Sequence, residues 1–530
     1  MICVSLGRTR HRMMLAEHHA LARKGVKLVE LRLDWLSRAP DLSRLLRDRP
    51  TPVVVTCRRP QDGGRWRGSE EDRVMLLRQA IAAGVEYVDL EADIAANVPR
   101  FGTTRRIVSY HNLTETPNEL IDRQSAMAAL KADIVKIVTM ANHPADNVRV
   151  LELIDGASVP TIAFCMGEMG VPSRILCGKY GSPFTYATFS KERVLAPGQL
   201  TFEEMRDVYR FDQLNRETQV FGVMGDPIAQ SMSPVIHNAA FVRERINAVY
   251  LPFRVPDGEL SETLGEFEWL NIDGFSVTIP HKENVARMVS HNDANVQDSG
   301  AANTLYRNEM GKWCAANTDY EAALSTLRGA VAAGGDQSLE GKRVLILGAG
   351  GAAKAISLGL TRAGCAITIA NRSKDRGKAL AEHLNCQFIG WENRGSVLAD
   401  ILINCTPIGM FPDVEATPFP QHWLRDGMLV FDTIYNPENT LLLKEAREHL
   451  CRTVSGLEMF IRQAATQFEC FVRQPAPVEV MREALRRAIS PVRVKDPNLE
   501  RPLEQDPPRE SPPEQDPPQE SPPGADGSPS

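Results

Sequence analysis

The ten cysteines of this 530-residue chain never fall into a CxxC pair. That excludes the usual paired-thiolate zinc site, no metal is expected, and dispersed thiols point to a reducing compartment. No run of 18 apolar residues occurs, so a membrane-spanning helix is not expected. The N-terminus passes directly into Ile2-Cys3-Val4-Ser5-Leu6, with neither the basic start nor the apolar core of a leader, and a cytoplasmic location is expected. Basic charge is also lacking. Against 67 Asp and Glu stand 61 scattered Lys and Arg, a formal net charge of −6, which provides no field for nucleic acid. The partners expected are small molecules.

What the chain does have is length and 43% apolar content, enough for three or four domain-sized units. From about Ser490 the composition turns to Pro, Glu, Asp, Gln and Ser, and EQDPPRESPP (504–513) is followed by EQDPPQESPP (514–523). Such a repeat cannot bury a core, so 491–530 is expected to be a disordered acidic tail, either a solvated extension or a proline-motif docking segment.

The segment Gly341 to Ser373 carries the most chemistry. An apolar strand, Arg343 to Leu347, enters Gly348-Ala349-Gly350-Gly351-Ala352-Ala353, then come a helix and a second strand ending at Asn371-Arg372-Ser373. The first glycine allows a tight turn, the second lets the backbone approach a pyrophosphate, and the helix N-terminus offers N–H groups to phosphate. Where an NAD-binding chain places Asp or Glu for the ribose hydroxyls, this one has Asn371-Arg372. A guanidinium matches a 2′-phosphate, so the expected cofactor is NADP. The alternative is a glycine-rich turn of another α/β protein.

Before this unit, short β-branched runs alternate with helix-length segments: 2–6, 27–33, 52–57, 86–91, 106–110, 133–138, 160–165 and 184–189. Eight βα repeats in about 200 residues predict a (β/α)8 barrel with its site at the C-terminal strand ends. Glu30 and Arg32 share one face of their strand, Arg58 ends the third strand and His111 the fifth. Lys136 sits inside Ile134-Val135-Lys136-Ile137-Val138. Desolvation there disfavours the ammonium and makes the amine a nucleophile toward a ketone. Taken alone, Lys136 is equally a lysine reaching out from a strand end, and His111 an ordinary hydrogen-bonded histidine. With Arg32, Arg58 and Arg174 they outline a pocket for an anionic, hydroxylated ketone.

In the second half, Ser231-Met232-Ser233 offers two hydroxyls ahead of a helix, suited to a polyol or to N-capping. Lys282, in Val277-Thr278-Ile279-Pro280-His281-Lys282, and Asp319, in Asn317-Thr318-Asp319, read as a surface ion pair or, beside a nicotinamide, as a proton-transfer pair for carbonyl reduction.

VELRLD (29–34), TCR (56–58) with Asp62-Gly63-Gly64, SYH (109–111), VKIV (135–138), SR (173–174) and APGQ (196–199) resemble type I 3-dehydroquinate dehydratase over nearly the whole first half. The resemblance implies a Schiff base at Lys136, acid/base work by His111 with Asp62 as an auxiliary group, and substrate binding by Ser5, Glu30, Arg32, Arg58, Arg174 and Gln199. Asp62 departs from the family's frequent Glu, Leu195 stands where some members have Ser, and the chain opens on its first strand without the hairpin of some members.

SMS, VTIPHK, GAANTL, NTDY, GAGGAA, NRS, NCTPIGM (404–410), DTIYNP (432–437) and SGLEMFIRQAA (455–465) resemble shikimate dehydrogenase, with small departures at Ser373 and Tyr320. That implies shikimate binding by Ser231, Ser233, Thr278, Asn303, Asp319, Tyr435 and Gln463, and catalysis by Lys282 and Asp319. It also implies NADP contacts from Gly348, Ala349, Gly350, Gly351, Ala352, Asn371, Arg372, Ser373, Arg376 and Gly456.

The expected architecture is a (β/α)8 barrel (1–216), a substrate domain (217–322), a Rossmann domain (323–452), closing helices (453–490) and the tail. Together the resemblances imply consecutive steps of one pathway, from 3-dehydroquinate to shikimate. Ser231 and Thr278 weigh against a catabolic quinate/shikimate dehydrogenase. Lys136, His111, Lys282 and Asp319 weigh against a non-catalytic regulator.

Overall fold

A computed structural model of the chain describes residues 1–335 and 338–490; the repeat-bearing tail expected at 491–530 lies outside the described residues. The first half forms eight parallel strands: β1 (Ile2–Leu6), β2 (Leu28–Arg32), β3 (Val53–Thr56), β4 (Tyr87–Glu91), β5 (Arg105–His111), β6 (Ile134–Met140), β7 (Thr161–Met166) and β8 (Thr185–Thr188). They pair in sequence order, and β8 returns to β1, giving a nearly closed barrel. The expected strands shift by a residue or two. Arg58, expected to end the third strand, lies two residues past it, because β3 stops at Thr56.

The period of two along each strand divides its side chains. Cys3, Leu28, Val54, Ile107, Ile134, Ile162, Phe164 and Tyr186 form one buried cluster within the barrel. Their neighbours Val4, Val29, Val53, Val108, Val135 and Ala163 pack in the outer core. Continuing the inward parity toward the C-terminal ends gives Ser5, Glu30 and Arg32, Asp89 and Glu91, Ser109 and His111, and Lys136. An apolar floor thus lies beneath a polar upper layer.

Strands β9 (Gln219–Gly225), β10 (Ala248–Arg254), β11 (Ile272–Val277), β12 (His291–Asn292), β13 (Thr304–Arg307) and β14 (Trp313–Ala316) make a mixed sheet in the order β10-β9-β11-β13-β14-β12. The third sheet contains β15 (Arg343–Leu347), β16 (Ala366–Asn371), β17 (Gln387–Gly390), β18 (Ile401–Asn404), β19 (Leu429–Asp432) and β20 (Arg452–Ser455). It is parallel throughout, in the order β17-β16-β15-β18-β19-β20. That is the doubly wound arrangement, whose crevice opens where the order reverses, between β15 and β18. The division expected at 322/323 falls within the helix Thr318–Ala333, and that at 452/453 falls within β20. Among the described residues no helix is long and apolar enough to cross a membrane.

The barrel's outer polar contacts include an arginine with no exposure. From the helix Glu70–Ala82, Arg73 donates to the carbonyl of Cys57 at 2.8 Å and to Glu91 Oε2 at 2.6 Å, and it also meets Glu70. Breaking a buried pair strands its partner and costs about 3–5 kcal/mol. Arg73→Met should therefore lower the barrel's transition in scanning calorimetry, and an unchanged trace would show that Glu91 is satisfied without it.

Candidate active sites

Nine residues named from the sequence line one cavity of about 290 Å³ in the barrel: Ser5, Glu30, Arg32, Arg58, Asp62, His111, Lys136, Arg174 and Gln199. Leu195 lines it too. Lys136 Nζ donates to Asp89 Oδ2 at 3.0 Å, stands 4.0 Å from Glu30 Oε1 and lies 4.1 Å from the centre of the Tyr186 ring. Glu30 is fixed by Ser5 Oγ (2.6 Å) and Thr56 Oγ1 (2.7 Å). The sequence suggested desolvation as the main influence on the lysine; the structure adds two carboxylates that offset the cost of its burial.

The three arginines expected to converge on an anionic substrate are not equivalent. Arg32 is engaged by both oxygens of Asp34, each at 2.9 Å. Arg58 reaches Asp89 (2.9 Å), Glu91 (3.1 Å) and Ser109 Oγ (2.9 Å). Arg174 is 2% exposed, and among the described residues no carboxylate pairs with it. Its Nη2 donates to the carbonyl of Pro197, its Nε lacks a partner, and burial pulls its pKa down to about 10. The cavity therefore keeps one uncompensated cation, suited to an incoming carboxylate.

His111 is partly buried at the C-terminal end of β5. Burial, reinforced by Arg58 and Lys136 and opposed by Asp89, holds its pKa well below 6.5, and its Nδ1 has no hydrogen-bond partner. Asp62 lies on the short helical turn Pro60–Asp62, but its carboxylate takes a 2.7 Å hydrogen bond from Arg59 Nε. Sequence reasoning missed Asp89. Burial pushes its pKa up, but Arg58 and Lys136 outweigh that and hold it well below the usual carboxylate range. The signal was present: Asp89 and Glu91 are two apart on one strand, like Glu30 and Arg32.

In the second half, Lys282 Nζ donates to Asp319 Oδ2 at 2.5 Å. Asn317 caps the helix Thr318–Ala333 and accepts from the Asp319 N–H at 3.2 Å. Neither serine of Ser231-Met232-Ser233 caps the helix Ser233–Glu244; Met232 occupies that position without a side-chain cap. Ser231 Oγ instead accepts from the Ser233 N–H at 3.3 Å, at the start of that helix, and the Ser233 hydroxyl lies against that of Tyr250. Asn303 accepts from the Thr318 N–H at 2.9 Å, and its Nδ2 lies 3.5 Å from Gln463 Oε1. Gln463 also donates to the carbonyl of Phe460. Tyr435 stacks on Phe460 with ring centres 4.0 Å apart, and burial raises its pKa to about 12. Thr278 follows β11, and its N–H donates to the carbonyl of Met224 on β9. A network missed from the sequence stands behind them: Tyr250 donates to Ser276, Ser276 to Gln467, and Gln467 to the carbonyl of Asn303.

The dinucleotide loop fits its expected ligand. Gly348 has φ +110, and a Cβ there would stand 3.0 Å from the carbonyl oxygen of Cys405. The helix Gly351–Arg362 begins after Gly350 with no side-chain cap and no acidic residue in its first turn, leaving its N–H groups to an anion. Ala349 is buried, and Ala352 lies in that first turn. A Cβ on Gly351 would lie 3.3 Å from Lys282 Cδ, so the loop abuts the lysine. Asn371 ends β16 and donates to the carbonyl of Ser373, Arg372 is exposed, and Ser373 precedes the helix Lys374–His383. Arg376 lines a cavity of about 530 Å³ with Ala349. Gly456 opens the helix Gly456–Val472 and donates to the carbonyl of Ile434.

Residues 2–216 match the family of type I 3-dehydroquinases, and residues 223–305 the shikimate dehydrogenase substrate binding domain. Residues 331–408 match the shikimate/quinate 5-dehydrogenases and 456–486 the shikimate 5′-dehydrogenase C-terminal domain. The chain is 37% identical over 480 residues to the chloroplastic bifunctional 3-dehydroquinate dehydratase/shikimate dehydrogenase of Arabidopsis thaliana, covering 86% of this chain and 79% of that one. It is 38% identical over 288 residues to a shikimate dehydrogenase (NADP(+)) of Moorella thermoacetica, covering 52% and 96%. A structure of dehydroquinate dehydratase and shikimate dehydrogenase from S. pombe aligns at 24% identity with a TM-score of 0.41, over 91% of this chain and 98% of that one. With both halves matched in one continuous alignment, the chain belongs to the family of bifunctional 3-dehydroquinate dehydratase/shikimate dehydrogenases.

Proposed function

We infer that the barrel dehydrates 3-dehydroquinate to 3-dehydroshikimate and that the second half reduces this product to shikimate with NADPH. The observation that carries the reading is the presence in one chain of two lysine-centred sites: Lys136 buried over an apolar floor, and Lys282 paired with Asp319 beside the dinucleotide loop.

In the barrel, the Lys136 amine adds to the substrate ketone and water leaves, forming an imine. Once protonated, the imine accepts the electrons released when the neighbouring C–H proton is removed. His111, kept neutral by its surroundings, takes that proton and returns it to the departing hydroxyl, which leaves as water. Arg174 receives the substrate carboxylate. Ser5, Glu30, Arg32, Arg58 and Gln199 bind and orient the ring, and Asp62 assists from the rim. Hydrolysis of the product imine frees Lys136.

In the second half, Ser231, Ser233, Thr278, Asn303, Tyr435 and Gln463 hold the hydroxyls and carboxylate of the ring. NADPH, when bound, supplies the hydride. Lys282, oriented by Asp319, delivers a proton to the oxygen that gains charge. The free N–H groups of the helix starting at Gly351 receive the pyrophosphate, and Arg372, with Asn371, Ser373 and Arg376, receives the 2′-phosphate.

Borohydride added to protein and 3-dehydroquinate should trap an adduct on Lys136, read by peptide mass spectrometry. Lys136→Ala should abolish dehydration and leave shikimate oxidation intact, while Lys282→Ala should do the reverse; loss of both activities in either folded variant would overturn the two-site assignment. Arg372→Ala should raise KM for NADPH roughly tenfold while sparing NADH, because a charge-assisted contact is worth about 1.5 kcal/mol or more. Equal effects on the two cofactors would place the 2′-phosphate elsewhere. In protein labelled at histidine Cε1, the His111 resonance, assigned through His111→Asn, should hold its neutral position as pH falls through 6.5. A lowered pKa keeps the imidazole unprotonated there, and titration at or above 6.5 would contradict the influence of burial, Arg58 and Lys136 on the ring.

A further inference from the structure

We propose that Glu168, a barrel residue, positions the shikimate-binding segment of the dehydrogenase and so joins the two active sites mechanically. The proposal rests on the assignment above of shikimate binding to Ser231 and Ser233.

Glu168 lies in the turn between β7 and the helix Val171–Leu176, at the end of the barrel where the dehydratase cavity opens. One side of this turn belongs to the dehydratase. The Gly167 N–H donates to the carbonyl of Pro197 at 3.1 Å, and Arg174 Nη2 donates to the same oxygen at 3.0 Å. Pro197 sits in the Ala196–Gln199 segment that walls the cavity. The cavity wall, the candidate carboxylate-binding arginine and the Glu168 turn therefore share one acceptor.

The other side reaches the dehydrogenase. Glu168 Oε1 accepts from the Ala229 N–H at 3.2 Å, and Oε2 stands 3.6 Å from Arg254 Nη1. Arg254 Nε in turn donates to Asp226 Oδ1 at 2.8 Å. Asp226 and Ala229 belong to the loop that delivers Ser231 and Ser233. Val255, next to Arg254, accepts from His281 Nε2 at 2.7 Å, and His281 immediately precedes Lys282. One carboxylate thus fixes both the serine loop and the strand end that supports the lysine. The two halves also approach nearby, where His143 Nε2 lies 3.2 Å from Glu259 Oε2.

Exposure decides what kind of effect to expect. Glu168 and Arg254 are 34% and 39% exposed, and an ion pair at such a surface contributes little to global stability. Its consequence is the position of a loop, and a displaced binding loop changes KM before it changes folding or the chemical step.

The test uses the full chain. Wild-type protein must first oxidise shikimate with NADP; failure there would overturn the functional reading itself. In Glu168→Ala, KM for shikimate should rise about three- to tenfold, the range of a lost hydrogen bond, while kcat and KM for NADP stay within about twofold. Calorimetric transitions should not move. Glu168→Gln keeps an acceptor for Ala229 but not the charge facing Arg254, and it should give a smaller rise. Shikimate KM unchanged in both variants, or a fall in kcat without a change in KM, would overturn the positioning role.

Discussion

A lysine buried above an apolar floor, Lys136, is both shielded from water and dependent on charged neighbours to hold it there. Those two conditions account for much of the polar layer in the barrel. An unpaired ammonium within an apolar barrel would be prohibitive. Asp89 answers it at 3.0 Å, Arg58 answers Asp89, Glu91 answers Arg58, and Arg73 closes the series from the outer helix. Each charge is buried because the next one is. Arg174 stands outside this series, a buried cation that no carboxylate among the described residues answers.

The dehydrogenase half solves a different problem: several polar groups must be held rigidly at the meeting of two sheets. Asn303, immediately before β13, bonds to Thr318, Gln463 and Gln467 from the helices Thr318–Ala333 and Gly456–Val472. The helix Gly456–Val472 therefore packs into the substrate sheet, with Leu457, Ile461 and Phe468 in the same core as Phe221 and Phe241. Lys282 stands between this framework and the glycine loop, where two reacting partners would meet.

The barrel and the six-stranded parallel sheet were legible in the chain because both depend on local signals. Alternating β-branched runs mark strands, and Gly348 to Ala353 marks a turn into a helix. The convergence of Lys136, His111 and Arg174 on one cavity followed from expecting every barrel strand to end at a common mouth. Asp89 escapes the sequence because the run 86–91 reads only as a strand. The Tyr250–Ser276–Gln467 network had no signature, since its members are 26 and 191 residues apart.

By itself the sequence determined the order of elements, the inward parity of Glu30, Arg32 and Lys136, and the arginine at the end of β16 that favours NADP. Each depends on spacing along the chain or on a residue's own chemistry. Tertiary structure alone decided that Arg58 is neutralised by Asp89 and Glu91 while Arg174 meets no carboxylate among the described residues, and that Glu168 reaches Ala229. A charge's partner is set by strand register and by the packing of one half against the other. Those are through-space relations, and no local pattern encodes them.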